Sequence, residues 1–388
     1  MPDGQIALPL LRLGRLELDP GLRALRPGPA PSDLVATATV EVPPSASQRQ
    51  YAWEVAWADA VREAGQRGAE RRTAEALAAG AGQAPADGAR VVVAAHGEVL
   101  LARWLPSGSA AASVAVGPLP HLLPAAAAAA RRPAYVVLLA DRDGTAILAH
   151  PAGDQHPARR LGVGRRPGLQ PDPHPGRPPA QHHGPRHLTD REPITGGEQN
   201  ADFVAGQVAE AAASVGAHLI LGAGDPHILG AVSGHLPASL GPITTIASSG
   251  SVSHGGDDQL RPAIAAALDE ITGEAIGAVG DLLASSAAGR EPAAVRGIEA
   301  VAEQLAEQQV AVLLVAADLG RDAESRGYRI GSRPTELLAG DSSPGTEVPL
   351  EDGLVWAALH QDALILRLPD RAGPLAGQPA AALLRAPG

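Results

Sequence analysis

The chain is expected to fold as an α/β protein of several domains, and three observations predict it. Segments with three- and four-residue apolar spacing alternate with short β-branched and aliphatic runs, the order that builds layered α/β units rather than helical bundles. At 388 residues the chain exceeds what one ordinary core holds. A Ser/Gly/Asp stretch at 248–258 and a proline-bounded alanine run ending near 132 divide it. Domains are therefore expected at 1–132, 133–250 and 256–388.

The elements follow in order. Residues 1–46 are rich in Pro and Leu, with a β-like run at 36–42. From Ser47 the spacing is helical, with Tyr51, Val55, Ala58 and Val61 on one stripe and Gly65 and Gly68 as breaks. Residues 91–101 read as two strands around a His96-Gly97 turn. A buried strand at 135–140 and a partner at 145–149 flank Asp141-Arg142-Asp143-Gly144, which reads as a hairpin. The segment 150–198 is dense in Pro, Arg, His and Gly and has no periodicity; a loop that long is functional or disordered. A helix is expected at 199–215 and a strand at 218–224. Next come a helix opened by Asp225 as N-cap and Pro226 at N1, and a strand at 243–247. The last part reads as helices at 260–284 and 292–307, a strand at 310–316, a polar loop over 318–346, a helix at 350–360 and a closing strand at 363–368.

Composition narrows the chemistry. Hydrophobic residues make up 45% of the chain but aromatics only 2%, so the cores are built from Leu, Val, Ile and Ala, with Trp53, Trp57 and Trp104 as core anchors. Cysteine is absent, which removes disulfides, thiolate ligands and thiol nucleophiles. All 31 basic side chains are arginine; without lysine neither a P-loop nor a Schiff base is possible. Asn200 is the sole asparagine, and together with the Ala, Gly, Pro and Arg content this points to a coding bias. No basic leader opens the chain and no apolar run is long enough to cross a membrane, so a cytoplasmic protein without a membrane partner is expected. The net charge of −11 excludes a general nucleic-acid coat. Residues 155–191 are the exception. Arg159, Arg160, Arg165, Arg166, Arg177, Arg186 and Arg191 stand against Asp172 and Asp190, and five histidines, His182 and His183 among them, share the stretch. Arginines set among Gly, Pro and His suit contact with an RNA backbone.

Other motifs carry less. Gly222-Ala223-Gly224-Asp225-Pro226-His227 has histidine where a dinucleotide fingerprint needs its third glycine, and reads as a tight strand-to-helix connection. Ser251-Val252-Ser253-His254-Gly255 lacks the first glycine of a nucleophile elbow and reads as linker. His182, His183 and His187 lie among prolines and glycines without carboxylates to complete a metal shell. No catalytic residue, metal or cofactor is expected.

Taken in sequence, the hairpin Tyr135-Val136-Val137-Leu138-Leu139-Ala140 to Thr145-Ala146-Ile147-Leu148, the long loop, the helix from Glu198-Gln199-Asn200-Ala201-Asp202-Phe203 and the following strand resemble the central domain of the bacterial branch of the archaeo-eukaryotic release factor and Pelota superfamily. Pro118-Leu119-Pro120-His121-Leu122-Leu123-Pro124 looks like that branch's interdomain signature. Residues 293–301, running into 310–315, are similar to its C-terminal domain. The resemblance implies an α/β, three-domain release-factor/Pelota-like architecture. The central α/β domain would carry the long loop, and the C-terminal domain would be an αβα kink-turn-binding-like fold. Release factors of this family carry Gly-Gly-Gln in the central loop, where it positions water at the peptidyl-tRNA ester; this chain has Gly196-Gly197-Glu198-Gln199. Glutamate is an anion and cannot offer the amide, and Gln199 is one residue out of register. The resemblance thus implies a monomer that occupies the ribosomal A site without releasing peptide, as Balon-like hibernation and stress factors do. Its loop would lie near rRNA and its C-terminal domain would face elongation factor Tu or another translational GTPase. Two rival readings stand beside it: an RNA- or tRNA-cleaving enzyme using loop Arg and His residues, and a non-enzymatic α/β scaffold.

Overall fold

A computed structural model describes residues 22, 25, 34–41, 49–84, 88–106, 112–140, 145–154, 157–163, 195–246, 257–287, 294–319, 327–340, 343–368, 371 and 373–385. Among the described residues it is a mixed α/β protein organised on four sheets.

The first sheet is antiparallel, in the order β3-β2-β1-β4. It comprises β1 (Val35–Glu41), β2 (Ala89–Ala95), β3 (Glu98–Leu105) and β4 (Ser113–Gly117). The β2–β3 loop is two residues long, with φ of 54° at His96 and 83° at Gly97, the positive values a twisted two-residue hairpin needs. On one face Ala36, Ala38, Val92 and Ala94 meet α1 (Arg49–Gln66) and α2 (Arg71–Gly80). The apolar stripe expected on α1 faces the other way: Tyr51 is 65% exposed and Val55 42%, whereas Trp53, Trp57, Ala60 and Ala64 are buried. A Trp buries more surface than Tyr or Val and it recurs at i, i+4, so its face wins the core. Trp53 packs against Trp57 at 5.7 Å and Trp104 at 5.6 Å between ring centroids.

The other face of this sheet shares a core with α3 (Leu123–Arg131), whose residues 125–130 are six alanines, all buried. Side chains this small let neighbouring backbone approach closely. Gly153, at φ 72°, lies where an added Cβ would sit 3.1 Å from the Ala129 nitrogen.

The central sheet runs β7-β6-β5-β8-β9. Its strands are β5 (Tyr135–Ala140), β6 (Thr145–His150), β7 (Arg159–Val163), β8 (Leu219–Gly224) and β9 (Ile243–Thr245). β5 and β6 pair antiparallel as the expected hairpin; its turn, 141–144, lies outside the described residues. β5, β8 and β9 are parallel neighbours. Val136, Leu138, Ile147 and Ile220 share a core with α4 (Thr195–Val215) and α5 (Pro226–Ser233); Val137, Leu139, Leu219 and Leu221 pack against Leu260 and Leu268 of α6 (Asp257–Ala287). Burial on both faces explains why β5 reads as a continuous apolar run.

The third sheet, β10-β16-β11-β15, holds β10 (Ala294–Arg296), β11 (Val310–Ala316), β15 (Leu364–Leu368) and β16 (Ala380–Leu384). Here the expected helix at 292–307 is corrected. Val295 pairs with Ala382, Gly297 turns the chain at φ 90°, and α7 spans only Ile298–Ala306. The pairing is long-range and outweighs local helix propensity. β16 escaped the sequence reading because Ala-Ala-Ala-Leu-Leu has no strand signature. The polar loop expected over 318–346 is likewise corrected in part: β12 (Tyr328–Ile330), β13 (Leu337–Ala339) and β14 (Thr346–Val348) form a small sheet there. α8 (Leu350–His360) is buried nearly all round, as a helix apolar on every side must be.

α6 joins the central and third sheets. Leu260 and Leu268 belong to the central core, while Ala275, Val279 and Leu283 pack under β11, β15 and β16. At 31 residues it is about 46 Å long. Gly273 and Gly277, on its exposed side, have nothing within 4 Å of where a Cβ would be. Replacing both with alanine is expected to raise stability by about 1–2 kcal/mol, read as a higher urea midpoint, since no contact opposes the better helix former. Among the described residues no helix is long and apolar enough to cross a membrane.

Candidate functional site

Two of the basic residues singled out in the sequence lie at one edge of the central sheet. β7 is that edge, and it carries Arg159 and Arg160. This corrects their expected place in a loop: they are strand residues, opposite Ala149 and Leu148 of β6. Successive strand residues project to opposite faces. Arg159 lies on the α4 side, where its Nη2 donates to Glu210 Oε1 at 2.9 Å. Arg160 lies on the other side and is exposed. The two adjacent arginines therefore do not form one patch. Arg165, Arg166, Arg177, His182, His183, Arg186 and Arg191 lie outside the described residues, as does Ser251–His254.

α4 begins at Thr195, four residues before the expected start, so Gly196, Gly197 and Glu198 occupy its first turn rather than a loop. The side chains of 195–200 lie outside the described residues. Ala201, Val204, Ala205, Val208, Ala211, Ala212 and Val215 form the buried stripe that fastens α4 to the sheet. Phe203, the chain's one phenylalanine, falls off that stripe and is 57% exposed. The signal for it was available: counting 3.6 residues per turn from Val204 and Val208 places residue 203 on the outer side.

At the carboxyl end of β8 the glycine motif resolves as a connection. Gly224 has φ 121°, and a Cβ there would stand 1.8 Å from the Ala140 carbonyl oxygen. Asp225 caps α5, its Oδ1 accepting from the His227 N–H at 2.9 Å. The helix N-terminus thus already faces a carboxylate, which opposes a bound phosphate. Among the described residues no group of three or more His, Asp or Glu side chains is arranged to hold a metal ion.

Residues 134–290, from the start of β5 to the end of α6, match the family model described as bacterial archaeo-eukaryotic release factor family 2. No curated protein matches the chain. Solved structures similar to it include a model of ribosome-bound archaeal Pelota and ABCE1, at 14% identity over 65% of this chain and 61% of that one, with a TM-score of 0.37. Pelota of Archaeoglobus fulgidus matches at 16% identity, covering 66% and 65%, with a TM-score of 0.26. An archaeal translation termination factor matches at 12% identity, covering 92% and 93%, with a TM-score of 0.21. The chain thus spans less than two thirds of either Pelota chain. Over residues 134–290 the protein is thus similar to the bacterial archaeo-eukaryotic release factors of family 2.

Proposed function

We propose that this protein is a ribosome-binding translation factor of release-factor/Pelota type that enters the A site without hydrolysing peptidyl-tRNA, and that it serves in ribosome hibernation or stress. The observation that carries the reading is the match of the central domain to a release-factor family together with Gly196-Gly197-Glu198-Gln199 in place of Gly-Gly-Gln. Starting α4 at Thr195 commits both glycines to helical backbone, and an anionic Glu198 follows them. A glutamine amide can both donate to and accept from an attacking water; a carboxylate accepts only and is repelled by phosphate. Phe203, exposed one turn further along α4, offers a ring on which a base can stack. Within the arginine-rich segment 159–191 the arginines beyond Arg159 supply the phosphate contacts, with elongation factor Tu or another translational GTPase as partner of the C-terminal part, in the cytoplasm and as a monomer.

Ribosomes stalled with labelled peptidyl-tRNA test the reading. The protein is expected to co-sediment with them and to leave the label bound at the rate of a buffer blank. Release above that rate would overturn the non-enzymatic part; failure to co-sediment at low salt would overturn the ribosome itself. Cleaved tRNA or rRNA in the same reactions would favour a nuclease.

A further inference from the structure

We propose that His121, clasped by Asp352 and Glu351, is a proton-operated latch that holds the first sheet against the C-terminal helix α8. The proposal does not depend on the ribosome reading. His121 lies in the segment between β4 and α3 and touches elements far apart in sequence. Its backbone N–H donates to Thr37 Oγ1 of β1 at 3.1 Å. Its ring Nδ1 lies 2.8 Å from Asp352 Oδ1, and its Nε2 lies 3.6 Å from Glu351 Oε1. Both ring nitrogens therefore face carboxylates of one helix turn. Only the imidazolium presents a proton to each; a neutral ring turns one lone pair toward an anion.

The site is shielded. The Asp352 side chain is 6% exposed, and those of His121 and Glu351 are 21% and 23% exposed. Burial by itself pushes His121 down, but the hydrogen bond and charge of Asp352, then Glu351, lift it above the ordinary imidazole range, against Arg367 of β15. Burial pushes both carboxyls up, and His121 draws them partly back. Thr37, from β1, carries no charge. The cluster thus binds protons more tightly when closed than when apart.

The sign follows from linkage. A histidine raised in the closed form contributes stability that is complete below its open-form value and lost as pH rises through its closed-form value. A carboxyl raised in the closed form loses stability over the window from the ordinary carboxylate range up to its raised value. All three groups act the same way: acid closes the latch and rising pH releases it. One proton changes the open-to-closed ratio by at most about tenfold per pH unit.

Because the chain has no cysteine, two can be introduced cleanly, at exposed Ala58 on α1 and exposed Glu303 on α7, and spin-labelled. The distance distribution is expected to be single at acid pH and to gain a longer population as pH rises through the raised imidazole range. His121→Gln should hold one distribution across the range, and Glu351→Gln should move the midpoint to lower pH, because it removes a charge that favours imidazolium. An unchanging wild-type distribution, or the same pH response in His121→Gln, would overturn the latch. Should His121→Gln fail to fold, the Glu351→Gln midpoint decides: a shift to lower pH supports the latch and no shift sinks it.

Discussion

Gly224→Ala is expected to destabilise the protein by about 4 kcal/mol or more, the scale reserved for changes that break backbone geometry. At φ 121° an L-residue is strained, and its Cβ would stand 1.8 Å from the Ala140 oxygen and 2.7 Å from its carbonyl carbon. Both obstacles are backbone of β5, a strand paired on both sides with β6 and β8, and it cannot rotate aside. The same Ala140 oxygen accepts the Asp225 N–H at 2.8 Å, so relief of the clash would break the join between β5 and α5. Against a total stability of about 5–15 kcal/mol, such a loss leaves a large unfolded fraction. Gly222→Ala is the control. Its Cβ would meet Ile243 Cγ2 at 2.4 Å, the end of a side chain that can move, and a cost of about 1–3 kcal/mol is expected. Urea midpoints measure both. A Gly224→Ala midpoint as close to wild type as that of Gly222→Ala would refute the account.

Replacing Arg165, Arg166, Arg177 and Arg186 with alanine is expected to abolish most of the salt dependence of ribosome binding. A protein of net charge −11 has no other concentrated source of phosphate contacts. Each arginine–phosphate contact releases condensed counterions. Roughly four contacts would lower wild-type affinity about 50- to 150-fold as salt rises from roughly 50 to 200 mM. The variant should bind weakly at low salt and change little thereafter. Arg159 is left out because Glu210 already holds it across β7 and α4. Arg159→Ala should cost less than about 1 kcal/mol of stability, since both partners are substantially exposed, and should leave the salt slope unaltered. Co-sedimentation of the quadruple variant equal to wild type at every salt concentration would remove the segment from the interface and favour a scaffold.

What was legible in the sequence follows physical rules that act locally. The strands β5, β8 and β11 are continuous apolar runs because each is covered on both faces, and such runs are visible without knowing the cover. The His96-Gly97 turn and the Asp225-Pro226 helix start were readable for the same reason: turn and cap chemistry is settled within four residues. The glycine motif also read correctly, as a connection.

Other features needed partners remote in the chain. β10 exists because it pairs with β16, and β16 because it pairs with both β10 and β11, and neither carries a strand pattern of its own. Arg159 and Arg160 looked like one basic cluster, yet β7 pairs with β6 and sends them to opposite faces.

The sequence by itself determined an α/β chain without thiol or lysine chemistry, because composition and local spacing need no third dimension, and it carried the resemblance of the central segment, with its Gly196-Gly197-Glu198-Gln199, to release factors. Tertiary structure alone decided which face of α1 is buried, that α6 ties two sheets together, and that His121 meets a carboxylate 231 positions away. Those outcomes depend on which apolar surfaces find each other on folding, and burial is a property of the whole assembly of elements rather than of any one segment.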